Sequence, residues 1–133
     1  MTKPPLVVSS AAFPGLAPVS VPAMIAAAGE TAGRRFIEFF VANIRNKNTR
    51  LAYAQAVGRF CAWCEQRRFT LDLLEPVVIA AYVEELVTIY EKPTVKQHLA
   101  AIRMLFDWLV VGQVLPMNPA SSPKTIQARN DIS

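Results

Sequence analysis

The chain has 133 residues, 53% of them apolar, and a net charge of +4. That length suits one domain with a single core and is too short for two ordinary ones. Nineteen of the apolar residues are alanines, which favour helices, and no run of eighteen uncharged apolar residues occurs outside a proline-broken N-terminus, so a transmembrane helix is not supported.

Residues 1–29 read as a disordered Pro/Ala-rich tail. Between Met1 and Ala28 the only charge is Lys3, and prolines at 4, 5, 14, 18 and 22 interrupt any helix. A secretory leader ending at Ala26, Ala27 and Ala28 is the competing reading, but the same prolines break its apolar region. A cytoplasmic location follows.

The first amphipathic stretch spans about Thr31 to Arg45, where Phe36, Ile37, Phe40, Val41 and Ile44 share helical spacing. Polar residues from Asn43 to Asn48 end it. Asn48 or Thr49 then caps a second helix running to about Arg68, with Tyr53, Val57, Phe60 and Cys64 as its apolar stripe and Trp63 beside them. Proline suits a first helical turn, so a third helix is expected from Pro76 to Tyr90 with Val78, Tyr82, Leu86 and Ile89 inward and Glu84 and Glu85 outward. Pro93 stops it. Thr94 is placed to cap a fourth helix reaching Val111, with Val95, Leu99, Ile102, Phe106 and Leu109 on one side. Gly112, in a left-handed cap, and then Pro116 and Pro119 end that helix. No segment alternates with period two, so the fold class is all-α: a compact four-helix bundle over residues 30–120, with residues 121–133 as a linker.

Cys61 and Cys64 form a C-x-x-C, a spacing that elsewhere marks redox or zinc chemistry at a helix start or beside a second ligand pair. Here the motif lies mid-helix and His98 is the lone histidine. Free, packed thiols are expected, with no metal and no cofactor.

Charge is unevenly distributed. Residues 46–68 hold Lys47, Arg50, Arg59, Arg67 and Arg68 against Glu65, whereas 69–91 hold Asp72, Glu75, Glu84, Glu85 and Glu91 with no cation. The C-terminal stretch is basic again through Lys92, Lys96, Arg103, Lys124 and Arg129, opposed by Asp107 and Asp131. A polyanion would be drawn to the second and fourth helices and repelled by the third, although solvated helix faces also show mixed charge.

Four pieces of text carry a resemblance: Asn48-Thr49-Arg50-Leu51-Ala52-Tyr53; Phe60-Cys61-Ala62-Trp63-Cys64; Thr94 through Leu109, which reads TVKQHLAAIRMLFDWL; and Asn118-Pro119-Ala120. Together, over about residues 30–124, they resemble the SAM-like core-binding domain of tyrosine recombinases, the phage integrase family. The resemblance implies a helical bundle that forms half of a C-shaped clamp and lays its second and fourth helices over the major groove. It implies DNA contacts from Lys47, Thr49 and Arg50, and from Lys92, Thr94, Lys96, Gln97 and Arg103. Thr49 and Thr94 would serve as caps in any helix, and Gln97 is the base reader of the set because an amide can both donate to and accept from adenine. The implied partners are double-stranded DNA and other recombinase protomers on DNA, with a monomer in isolation and no membrane.

The family's chemistry needs an activating arginine, a His-x-x-Arg pair and a nucleophilic tyrosine in a following domain. The chain is read as stopping before that domain, so no catalytic centre is expected in it. His98 and Arg103 are wrongly spaced for the pair, and Tyr53, Tyr82 and Tyr90 read as structural. The alternative function is a helical protein-interaction module that docks through its N-terminal helix or the Trp63 and Trp108 region without binding DNA.

Overall fold

The structure, a computed structural model, describes residues 21–121. The tail reading for residues 1–20 and the linker reading for 122–133 lie outside the described residues. All regular structure among the described residues is helical, and contacts divide the chain into two units between Asp72 and Leu73.

In the first unit, α1 (Ala23–Ala26) packs on α2 (Glu30–Asn43) and α3 (Lys47–Gln66). Helix α1 is additional to the four that periodicity predicts, and it falls within the stretch read as tail. Pro22 stands in front of its first turn as the N-cap, where a missing N–H costs nothing. Val21, Met24 and Ile25 are buried, and the Met24 amide donates to Glu65 Oε2 at 3.1 Å. Gly29 then joins α1 to α2 at φ 118° and ψ 170°, a conformation essentially reserved for glycine.

Helix α2 buries Ala32, Gly33, Phe36, Ile37, Phe39 and Phe40. Phe40 meets Phe36 and Phe39 edge-on at 5.2 and 5.0 Å, the arrangement that aromatic quadrupoles favour. Two assignments change here: Val41 is 48% exposed and Phe39 takes the inward position. Phe39 is three residues from Phe36 and so lies on its face, whereas Val41 is five away.

The polar corner after α2 offers several caps, and Asn46 is the one used: its Oδ1 accepts from the Thr49 amide at 3.0 Å, and α3 begins at Lys47. Thr49 therefore lies inside the first turn. Val57, Phe60 and Cys64 are buried as expected, joined by Ala56, Cys61 and Trp63, while Tyr53 is half-buried. The end of α3 is a Schellman turn, in which Arg68 N–H bonds Glu65 O and Phe69 N–H bonds Cys64 O, with Arg68 itself left-handed at φ 61°.

In the second unit, α4 (Pro76–Ile89), α5 (Lys92–Val111) and a 3-10 turn (Pro119–Ser121) pack on one another. Helix α4 opens with Pro76 and buries Val78, Ile79, Tyr82, Val83 and Leu86; Ile89, expected inward, is 53% exposed as the terminal residue. Pro93 does not stop a helix. It sits in the first turn of α5 behind the N-cap Glu91, which makes Thr94 an internal residue rather than the cap. Val95, Leu99, Ile102, Phe106 and Leu109 are buried as their spacing requires, together with Ala101 and Leu105. At the C-terminus Gly112 has an ordinary φ of −80°, and the left-handed residue is Gln113 at φ 62°. Gln113 N–H to Val110 O and Val114 N–H to Leu109 O complete a second Schellman turn.

Candidate nucleic-acid interface

At the start of α3, Lys47 is exposed and Thr49 and Arg50 are half-buried. The first turn directs orphan amides and a positive dipole outward, and Lys47 adds a full charge there. Arg50, which the resemblance implies as a DNA contact, is engaged within the protein. Its Nε and Nη2 both donate to Ile44 O, at 3.2 and 2.7 Å, so the guanidinium braces the corner between α2 and α3. Of the other cations of this helix, Arg59 is half-buried and Arg67 lies over the Trp63 ring at 4.3 Å with Nη1 on the Trp63 carbonyl. Stacking of Trp63 on Phe60 and Phe69 extends that cluster.

On α5 the sequence-derived set divides: at roughly 100° per residue Thr94 falls about 160–180° and Gln97 about 100–140° around the helix from the three cations. Lys92, Lys96 and Arg103 fall within about 40° of one another around the helix at roughly 100° per residue. Lys92, Lys96 and Gln97 are exposed; Thr94 and Arg103 are half-buried. Ala100 lies between Lys96 and Arg103 with only a methyl group, so a flat or convex partner can approach the backbone there. The carboxylate on this side, Asp107, is engaged: Asn118 Nδ2 donates to Asp107 Oδ1 at 2.7 Å and to Arg103 O at 3.0 Å, while Asn118 Oδ1 accepts from the Ala120 amide at 2.8 Å. The first two bonds dock Asn118-Pro119-Ala120 against the middle of α5 and the third closes the segment on itself, with Pro119 and Ala120 buried.

The family model for the phage integrase N-terminal SAM-like domain matches residues 35–112, more than half of the chain. The chain belongs to that family. Comparison with curated proteins and with solved structures gives no match for it. The matched stretch of this SAM-like domain begins inside α2 and ends at the C-cap of α5, so it contains every cation assigned to the interface and leaves out α1 and Asn118.

Other chemistry is restricted by the packing of the SAM-like domain. Cys61 and Cys64 are free and buried. Burial, reinforced by the neighbouring Cys64 and Glu65, pushes the Cys61 thiol well up; burial and Glu65 push that of Cys64 up to about 12, with Arg67 opposing. Thiolate nucleophiles are thus suppressed at neutral pH. His98 is half-buried with its ring 5.2 Å from that of Tyr90, a packed rim position. Among the described residues no three His, Cys, Asp or Glu side chains gather as a metal site, and no helix is long and apolar enough to cross a membrane.

Two functional features escape sequence reasoning. Asn46 was one of several polar residues in a corner, and nothing local ranks it above Asn48 as the cap. Asn118 was visible in the Asn-Pro-Ala text, but its bond to a carboxylate eleven residues earlier depends on how the chain folds back.

Proposed function

We propose that this SAM-like domain is the DNA-gripping core-binding domain of a site-specific tyrosine recombinase. In this reading α5 lies over a major groove with Lys92, Lys96 and Arg103 on phosphates, Thr94 as an auxiliary phosphate donor and Gln97 on a base edge. In its own unit the first turn of α3 offers Lys47 and Thr49 to phosphate, and Arg50 holds the corner from which that turn projects. The observation that carries the reading is the α5 stripe: three cations on one face, with Asp107, the carboxylate one turn beyond Arg103, bonded to an amide. Such a face gains from releasing counterions condensed on a duplex, and the family of the domain makes DNA the natural polyanion. Catalysis belongs to a further domain of the recombinase, other protomers on the same DNA are the assembly partners, and the cytoplasm is the working compartment. Alone, the domain is a monomer.

Binding to random duplex, measured by band shift at several salt concentrations, is the test. If about four cations meet phosphates, log affinity falls with log salt at a slope near −4, from a dissociation constant on the order of micromolar to hundred-micromolar. Lys96→Glu weakens binding and flattens the slope, whereas Glu84→Lys on α4 does little or strengthens it slightly. Affinity that ignores salt, or that responds to α4 charge and not to Lys96, favours a protein-interaction module instead.

A further inference from the structure

Arg103 and Asp107 are one helical turn apart on α5, a spacing at which an arginine and a carboxylate can pair. Here Asp107 is instead bonded by Asn118. Asn118 has two amide hydrogens, and both are used on α5, one on the Asp107 carboxylate and one on the Arg103 carbonyl. Its oxygen is fixed in turn by the Ala120 amide, and Ala120 is anchored because it is buried. The amide therefore cannot rotate without losing three bonds, and Asp107 has a fixed neutral partner.

We propose that Asn118 is a positioning residue that keeps the Arg103 guanidinium open to a DNA phosphate by holding Asp107 away from it. The proposal rests on the DNA-binding reading of α5 and extends it to a residue beyond the 35–112 stretch that the family model matches. Removing the amide frees Asp107 to swing toward Arg103. The pair that forms neutralises one of the three stripe cations, so one phosphate contact is weakened without any change in a DNA-contacting side chain.

The experiment is a double-mutant cycle on the whole 133-residue chain, with binding to random duplex read across salt concentrations. Asn118→Ala should bind about three- to tenfold more weakly at low salt, with a slope shallower by up to about one. Asp107→Asn in that background should restore both, because no carboxylate is left to pair, whereas Asp107→Asn alone should change affinity less than about twofold. A merely structural role for Asn118 predicts no such rescue. The proposal is overturned if Asn118→Ala, shown folded by its helical circular dichroism, keeps the wild-type affinity and slope. It is equally overturned if Asp107→Asn has the same effect in both backgrounds. Should Asn118→Ala fail to fold, Asn118→Ser replaces it, since the hydroxyl still offers the Ala120 amide an acceptor while lacking the amide donors. Exchange of the Arg103 Nε–H with water, followed by NMR without DNA, provides a second measurement: slowing in the variant supports the switch and an unchanged rate rejects it. If the wild-type chain binds without salt dependence, the DNA reading fails on its own, and the NMR measurement still decides whether Asn118 separates the two charges.

Discussion

Gly112 and Gln113 make opposite predictions depending on which of them carries the left-handed turn after α5. Gln113 does so at φ 62°, with its side chain exposed, while Gly112 sits at φ −80° and ψ 5°. A left-handed residue with a Cβ costs about 1–2 kcal/mol, and the greater freedom of glycine in the unfolded chain takes back roughly 0.5–1 kcal/mol. Gln113→Gly should therefore stabilise the domain by about 0.5–1 kcal/mol. Gly112→Ala should also stabilise, by about 0.4–1 kcal/mol, because alanine accepts that φ and has fewer unfolded conformations to lose. Were Gly112 the left-handed cap, the same substitution would instead destabilise by about 1 kcal/mol or more. Urea unfolding followed by circular dichroism separates the signs: with a slope of about 1–3 kcal/mol per molar, each variant should raise the midpoint by a few tenths molar at unchanged slope. A lower midpoint for Gly112→Ala, with Gln113→Gly neutral, would refute the placement of the turn.

Phe106 is 1% exposed at the centre of the α5 stripe, and Phe106→Ala should cost about 3–5 kcal/mol; a thermal midpoint that moves by no more than a degree would contradict its burial. Because the Cys64 thiol is pushed from its ordinary 9.0 up to about 12, the folded protein holds that proton more tightly than the unfolded chain. The thiol thus contributes stability that is fully present below pH 9 and is lost as pH rises toward 12, and a disulfide reagent at pH 8 should react with neither cysteine until denaturant is added. Arg50→Ala removes two charge-assisted bonds from Ile44 O and should lower stability by about 1–2 kcal/mol, so its effect on DNA must be read at a temperature where the variant is folded; equal stability with wild type would show the brace to be idle. Gln97→Ala should cost about 1–3 kcal/mol on a cognate site and almost nothing on random duplex, and equal losses on both would demote Gln97 to a backbone contact.

Periodicity is legible wherever a helix is long and packs through one continuous stripe, which is why Val95, Leu99, Ile102, Phe106 and Leu109 were all assigned inward from spacing alone. It fails at helix ends. Ile89 continues an apolar pattern past the point where the neighbouring structure covers it, Val41 lies at the margin of its stripe although Ile44 beyond it is buried, and both Ile89 and Val41 are exposed. Helix α1 has a single turn, too short to declare itself by pattern, and is held by contacts with residues far along the chain; no local signal could have revealed it. Prolines and glycines mark punctuation without saying which side of a boundary they occupy: Pro93 opens α5, and Gly112 precedes the turn that Gln113 makes. At the candidate interface, residue type and spacing were enough to place Lys92, Lys96, Gln97 and Arg103 on α5. The diversion of Arg50 to a carbonyl and the restraint of Asp107 by Asn118 are three-dimensional facts, invisible until the corner and the fold-back exist.

The docking of α1 separates two ideas that are usually treated as one, the unit that is inherited and the unit that folds. The family match starts at residue 35, after α1 and inside the first turns of α2. A protein trimmed to that boundary would lose Val21, Met24 and Ile25, each 4% exposed or less, along with buried Ala32 and Gly33. At about 1.5–3 kcal/mol for each of the three larger side chains, an upper bound of roughly 5–9 kcal/mol goes with them, as much as many domains have in total. Glu65 would be left without the amide it accepts from, and the phenylalanine cluster of α2 would lose a neighbour. Homologous boundaries are therefore the wrong place to cut this protein, and the shortest stable version must keep Val21.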